Sequence, residues 1–138
     1  MQIKINRIDN DYLMEAVNES GNTLLMDGSE TIGGHNKGMR PTQLLLSAVG
    51  GCSAIDIISI LKKQKQEITS FEIVVDGIKE NVEEYSLFGK IHIQYKLKGT
   101  IDKDKAERAA KLSMEKYCSV SKTLEATAKI TYSVHINE

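Results

Sequence analysis

A long apolar stretch between Leu44 and Leu61 constrains the fold of this chain more than any other feature. It predicts a helix from about Thr42 to Gln66, with Pro41 suited to the first turn. The helix would be apolar on both sides, which is typical of a protein interior or a membrane span. Small or polar residues interrupt it at Ser47, Gly50, Gly51, Ser53, Asp56 and Ser59. We therefore predict a long central buried helix rather than a membrane span.

Residues that alternate between polar and apolar predict strands on both sides of this helix. Before the central helix we predict a meander of three strands at residues 1–7, 12–17 and 23–26. After it we predict a hairpin of two strands, at residues 71–79 and 86–98. Two helices follow, one from Asp102 to about Tyr117 and one over residues 120–125 capped by Ser119, and then a final strand at residues 127–136. An antiparallel meander and a mostly antiparallel sheet with helices packed against it define the α+β class. The length of 138 residues suits one domain, residues 1–138.

Glycine marks two further places in the chain. Residues 27–40 hold four of the ten glycines, and we predict a mobile loop there, since a loop of this length is usually functional or disordered. Gly50 and Gly51 lie inside the predicted central helix, where each costs roughly 1 kcal/mol relative to alanine. Such a pair indicates close backbone approach or a kink.

Composition and charge exclude several classes of partner. The net charge is -1 and there are only two Phe, five Tyr and no Trp, so no nucleic-acid partner is predicted. The first residues alternate without the apolar core of a signal peptide, so we expect a cytoplasmic protein with no membrane partner. A helix too apolar to leave a face in water predicts a second subunit, and hence a homodimer.

The two cysteines carry the candidate chemistry. Cys52 lies inside the central helix, and Cys118 lies where the second helix breaks. Each is open to two interpretations, a small buried core residue or a reactive thiol. Free backbone N–H groups at a helix start could favour the thiolate of Cys118. In the cytoplasm, where thiols are kept reduced, a pairing of the two would be catalytic rather than structural.

No metal site and no cofactor are predicted. The two cysteines lack the close spacing of zinc ligands, and the three histidines are scattered through the chain as His35, His92 and His135. The double glycines are not followed by the Gly-Lys-Ser/Thr of a phosphate-binding loop.

Two segments around the cysteines resemble motifs of the OsmC/Ohr family, the osmotically inducible and organic hydroperoxide resistance proteins. The run from Arg40 to Cys52 is similar to the helix-opening motif, in which a proline precedes the reactive cysteine by eleven residues, as Pro41 does here. The run from Tyr117 to Lys122 is similar to the second motif, which carries the resolving cysteine. Gly51 to Asp56 is most similar to the YhfA-like branch. The resemblance implies an OsmC/Ohr-like fold in an intertwined homodimer.

The resemblance also implies a thiol peroxidase mechanism. Cys52 would attack an organic hydroperoxide, release an alcohol and become a sulfenic acid, and Cys118 would then form a disulfide with it. An external thiol reductant, a lipoylated protein in the Ohr proteins, would reduce that disulfide. The resemblance implies no cofactor, because the two cysteines and the external thiol carry the whole reaction.

The chain departs from the family pattern near the motif proline. Thr42 follows it directly where a Glu is typical, and Gln43 stands where some relatives have a Glu. With Arg40 and Asp56, one helical turn after Cys52, these are the candidate supporting residues. Two alternatives to the peroxidase stay open: a non-peroxidase thiol protein that senses or binds an electrophile or small ligand, and a structural protein with two core cysteines.

Overall fold

Six strands form two separate three-stranded sheets. The computed structural model describes residues 1–138. The elements are β1 (Ile3–Arg7), β2 (Met14–Asn18), β3 (Thr23–Met26), α1 (Pro41–Lys63), β4 (Glu67–Val82), β5 (Tyr85–Thr100), α2 (Lys103–Leu112), α3 (Ser119–Leu124) and β6 (Lys129–Ile136). A 3-10 turn (Glu30–Ile32) and a π-helical turn (Ser113–Tyr117) complete them. The predicted α+β class and the order of the elements are confirmed. The chain divides into two units, Met1–Leu45 and Leu46–Glu138.

The N-terminal unit contains the predicted antiparallel meander, in the order β1-β2-β3. The segment after β3, predicted to be a mobile loop, is organised around the buried carboxylate of Asp27. Its Oδ1 accepts the backbone N–H of Gly28 at 2.8 Å, and its Oδ2 accepts those of His35 and Lys37 at 3.2 and 3.1 Å. One side chain therefore ties together a stretch that has little secondary structure of its own.

The second unit is built on the sheet β4-β5-β6. β4 and β5 form the predicted hairpin, but each has 16 residues, longer than the alternation indicated. β6 pairs with β5 in parallel, with Ile91 opposite Ile130. The helical segment between β5 and β6 makes this possible, because a parallel pair needs a long crossover connection.

One face of β5 forms the centre of the core. Ile91, Ile93, Tyr95 and Leu97 alternate along the strand and are all buried. Apolar residues of α1 and alanines of α2 belong to the same cluster, and its buried members include Val49, Ile57, Leu61, Ala109 and Ala110. Because side chains alternate along a strand, the apolar face of β5 packs against the apolar faces of these helices.

The two interior glycines of α1 differ in their surroundings. A Cβ at Gly50 would lie 2.9 Å from Cγ2 of Val75, whereas a Cβ at Gly51 would meet nothing within 4 Å. The predicted close approach therefore occurs at Gly50, where the helix lies against β4.

Burial of α1 is one-sided within the chain. Val49, Ile57 and Leu61 are buried, but Ile55 is 66% exposed and Leu45 is 43% exposed. By length and composition alone this helix could cross a membrane, a test that core helices of soluble proteins also pass. An apolar surface of this kind is what a partner subunit covers in many oligomers.

Candidate functional site

The fold of the second unit brings both cysteines together with a carboxylate. Cys52 and Asp56 lie one turn apart on α1, and Cys118 lies at the start of α3. The sulfurs of Cys52 and Cys118 and a carboxylate oxygen of Asp56 all lie within 4.8 Å of one another. Both cysteines are free thiols. Two thiols and a carboxylate could also act as ligands of a soft metal ion, although the spacing of the cysteines in the sequence gave no sign of such a set.

The π-helical turn determines where Cys118 lies. α2 ends at Leu112, the turn follows, and the backbone of Cys118 is extended, with φ −76° and ψ 99°. The N–H of Cys118 donates to the carbonyl of Ser113 at 2.8 Å. Single π-helical turns of this kind are frequent at functional sites.

Cys118 itself caps α3, whereas the sequence predicted Ser119 as the cap. The Cys118 sulfur accepts the N–H of Ser121 at 3.4 Å, and the hydroxyl of Ser121 donates to the carbonyl of Cys118 at 2.9 Å. The sequence-based prediction was wrong here because the backbone of Cys118, directly after the π-helical turn, is extended and so takes the capping position. The first helical residue is therefore Ser119.

The two thiols are not equivalent. Cys118 is completely buried, and this burial raises the pKa of its thiol. The hydrogen bond from Ser121 lowers the pKa of Cys118 again in part, and the neighbouring Cys52 raises it further. Cys52 is only partly buried. A molecule from solvent would therefore contact Cys52 first, whereas Cys118 is a protonated thiol that solvent does not reach.

Ser113 connects Asp56 to Cys118. Its hydroxyl donates to Oδ2 of Asp56 at 2.8 Å, while its carbonyl accepts the N–H of Cys118. Ser113 is fully buried. Sequence reasoning did not select it, because a serine at the end of a helix has no distinctive pattern.

Asp56 also borders an open cavity of about 530 Å³. Ile60, Leu112 and Tyr117 contribute apolar surface to this cavity, and Lys63 contributes a positive charge. Asp56 therefore belongs both to the cluster with the two thiols and to the lining of this cavity.

Tyr95 is a second residue that sequence reasoning did not select, beyond its place on the core face of β5. Its side chain is fully buried, and its hydroxyl has no hydrogen-bond partner within the chain. The hydroxyl of the neighbouring Ser53 donates instead to the carbonyl of Val49 at 2.8 Å. Burial raises the pKa of Tyr95 to about 12, the nearby hydroxyl of Ser53 lowers this pKa in part, and electrostatic interactions with Cys118, Tyr132 and Asp56 raise it further. A buried hydroxyl without a hydrogen-bond partner is uncommon in folded proteins.

The other candidate supporting residues lie in the N-terminal unit and make local hydrogen bonds there. The guanidinium of Arg40 donates to the carbonyl of Gly38 at 3.1 Å and to Oδ1 of Asn36 at 3.1 Å. Oε1 of Gln43 accepts the N–H of Arg40 at 2.9 Å, at the start of α1. Thr42 lies half-buried in the first turn of α1. Their role toward Cys52 stays a prediction.

Comparisons with known proteins agree with this architecture. The chain is 39% identical over 118 residues to protein YhfA of Escherichia coli K12, covering 85% of this chain and 84% of YhfA. The crystal structure of a hypothetical protein from Aquifex aeolicus VF5 is 28% identical with a TM-score of 0.79, covering 99% of this chain and 97% of that one.

A more distant structure shows the same fold. It is an organic hydroperoxide resistance protein OsmC from Legionella pneumophila, with a TM-score of 0.71 and 16% identity over 97% of this chain and 95% of that one. Residues 34–133 match the family model described as OsmC-like protein. The chain therefore belongs to the OsmC-like protein family.

Proposed function

We propose that this protein is a thiol peroxidase that reduces organic hydroperoxides, with Cys52 as the attacking thiol and Cys118 as the resolving thiol. The observation that carries the proposal is the pair of free sulfurs within 4.8 Å, one partly exposed and one buried. The Legionella pneumophila relative, which shares the fold, is named for resistance to organic hydroperoxides.

The reaction would proceed in three steps. The Cys52 thiolate attacks the distal oxygen of the hydroperoxide, the O–O bond breaks, and the alkoxide takes a proton to leave as an alcohol. Cys52 is then a sulfenic acid, and Cys118 displaces its hydroxyl as water to form the disulfide. An external dithiol, a lipoylated protein or a similar reductant, supplies two electrons and two protons to restore both thiols.

Asp56, which lies beside the two thiols, borders a cavity that suits a small organic hydroperoxide. The cavity beside Asp56 combines apolar walls at Ile60, Leu112 and Tyr117 with polar groups. The unpartnered hydroxyl of Tyr95 stays protonated at neutral pH and can donate to an oxygen of the substrate or the leaving group. No metal or cofactor is needed for these steps.

We also propose that residues 1–138 act as one OsmC-like domain in a cytoplasmic homodimer. The family match over residues 34–133 spans the boundary between the two units. The exposed apolar side of α1, which includes Ile55, supports a second copy as its cover.

A second candidate function is a non-peroxidase thiol protein that senses or binds an electrophile or small ligand. It is favoured by the uncharged Thr42, which stands where a Glu is typical of the family the chain resembles, and by Gln43, which stands where some relatives have a Glu. The same thiol pair would then react once and persist as a disulfide or adduct rather than turn over.

The test is quench-flow mass spectrometry of the reduced protein with cumene hydroperoxide. We expect Cys52 to be oxidised at least about 100-fold faster than free cysteine, which corresponds to about 2.7 kcal/mol of barrier lowering. The variant Cys118→Ser should accumulate a dimedone-reactive sulfenic acid at Cys52, and Cys52→Ser should not react. Oxidation no faster than that of free cysteine would rule out the peroxidase. Fast oxidation of Cys52 without turnover by dihydrolipoamide would favour the sensor.

A further inference from the structure

Asp56 is a carboxylate whose surroundings a purely structural role does not explain. It lies within 4.8 Å of both sulfurs, yet it forms no ion pair in the structure. One oxygen, Oδ2, accepts the hydroxyl proton of the buried Ser113 at 2.8 Å. A carboxylate held in this way still has lone pairs that can accept a proton, because a carboxylate offers about four acceptor positions.

Disulfide formation at this site needs a base. Cys118 must lose its proton to attack Cys52, but it is fully buried and burial raises the pKa of its thiol. The groups that face it are Cys52, the hydroxyls of Ser121 and Tyr95, which are both weak bases, and Asp56 with its partner Ser113. Tyr95 is protonated at neutral pH, and the hydroxyl of Ser113 already donates to Asp56. Of these groups only Asp56 can accept a proton readily.

The same step needs an acid. The hydroxyl on a Cys52 sulfenic acid leaves well only if a proton reaches its oxygen as the S–O bond breaks. A group between the two sulfurs that has just received a proton can supply it. Asp56 lies one helical turn from Cys52 and is bridged to Cys118 through Ser113, so it reaches both ends of the transfer.

We infer that Asp56 is the proton relay for closure of the Cys52–Cys118 disulfide, and that Ser113 is its positioning residue. This inference rests on the proposed function for the source of the sulfenic acid. The Cys118 S–H bond breaks and its proton goes to Asp56, while the sulfur electron pair forms the S–S bond. The Cys52 S–O bond breaks, and the departing hydroxide takes the proton from Asp56 to become water. Asp56 ends with the same number of protons as it began, and the hydroperoxide is the only oxidant.

The experiment follows single-turnover oxidation of Asp56→Asn by one equivalent of cumene hydroperoxide, with quench-flow mass spectrometry to separate the two steps. We expect sulfenic acid formation at Cys52 to be no slower than in the wild type, since the change removes a negative charge near the thiolate. Disulfide closure should be about 100-fold slower, the lower end of the usual contribution of general acid–base catalysis. The control is Asp76→Asn, on the exposed side of β4, which should close at the wild-type rate.

Two further readouts separate a relay from a structural role. Asp56→Ala vacates the carboxylate position beside the open cavity, so added formate should restore closure in this variant in proportion to its concentration. Ser113→Ala should slow closure about tenfold and leave the oxidation of Cys52 unchanged. If Asp56→Asn fails to fold, the Ser113→Ala result decides, and wild-type closure in that variant would overturn the inference.

A second arm tests the relay without hydroperoxide chemistry. Oxidised glutathione converts Cys52 to a mixed disulfide, and Cys118 then displaces glutathione, which also leaves as a protonated thiol. Asp56→Asn should slow this displacement about 100-fold as well. Wild-type protein that reacts with glutathione disulfide but not with cumene hydroperoxide would refute the peroxidase and leave the relay standing. Closure in Asp56→Asn at the wild-type rate in both arms would overturn the relay.

Discussion

At the scale of single residues, two carboxylates illustrate what position does to the same functional group. Asp27 is almost fully buried and accepts three backbone N–H groups, which use its charge to hold a loop in place. Asp56 accepts one hydroxyl and keeps the rest of its capacity beside two thiols. The first arrangement suits a structural role, and the second suits proton transfer.

The carboxylate of Asp27 should make the stability of the N-terminal unit decrease at acidic pH. The N–H of Lys37, followed by those of His35 and Gly28, lowers the pKa of Asp27 below its ordinary value of 3.8, against the effect of burial. A group whose pKa is lowered by folding stabilises the fold above its ordinary pKa and loses that contribution as the pH falls through the lower, folded value.

We therefore expect Asp27→Asn to be less stable than the wild type at pH 7. The difference should shrink as the pH falls below 3.8. Urea unfolding of both proteins between pH 7 and pH 2 measures it. A difference that stays constant over this range would show that the charge of Asp27 is not what holds the loop.

At the scale of elements, α1 and β4 are in contact because one position on the helix lacks a side chain. Gly50 lowers the helix propensity of α1, but it allows close packing against Val75 and Ile73 of the strand. The same helix carries Cys52 two residues later. The packing at Gly50 therefore helps to set the position of the thiol.

Alanine at the two glycines should have opposite effects. Gly50→Ala would place a Cβ 2.9 Å from Cγ2 of Val75, and overpacking of this kind costs typically about 1–3 kcal/mol. The gain of about 1 kcal/mol in helix propensity leaves a net destabilisation of up to about 2 kcal/mol. Gly51→Ala meets nothing within 4 Å and is the matched control, expected to match or exceed the stability of the wild type. Urea unfolding at one fixed protein concentration compares them, and equal stabilities would show that the helix does not depend on close approach at Gly50.

At the scale of the whole molecule, the exposed apolar side of α1 is the surface that most needs an explanation. Ile55 lies near the middle of the helix and is 66% exposed. In a symmetric dimer each residue at the interface occurs twice, so one substitution removes two sets of contacts. The proposed homodimer can therefore be tested with a single change.

Ile55→Glu should dissociate the dimer. Loss of a buried isoleucine costs about 1.5–3 kcal/mol in each subunit, so the dissociation constant should rise at least about 100-fold. Analytical ultracentrifugation measures the change, with Ala126→Glu as a control that adds the same charge at an exposed position next to α3. A wild type that sediments as a monomer would refute the homodimer. An unchanged dissociation constant in Ile55→Glu would show that this side of α1 does not lie in the interface.

Much of this protein could be read from the sequence, because the relevant patterns are local. The period of two in the strands, the apolar run of α1 and the spacing of Cys52 and Asp56 by one helical turn all follow from neighbouring residues. These patterns established the α+β class, the order of the elements and the family resemblance. They also indicated which side chains could carry thiol chemistry.

Only the tertiary structure decided how the site is assembled. Cys118 lies far from Cys52 in the sequence, and the π-helical turn, the cap by Cys118 itself and the Ser113–Asp56 hydrogen bond bring it beside Asp56. The parallel pairing of β6 and the unpartnered hydroxyl of Tyr95 likewise depend on contacts between distant segments. A local pattern determines what an element is, whereas the position of a buried polar group depends on every element that packs against it.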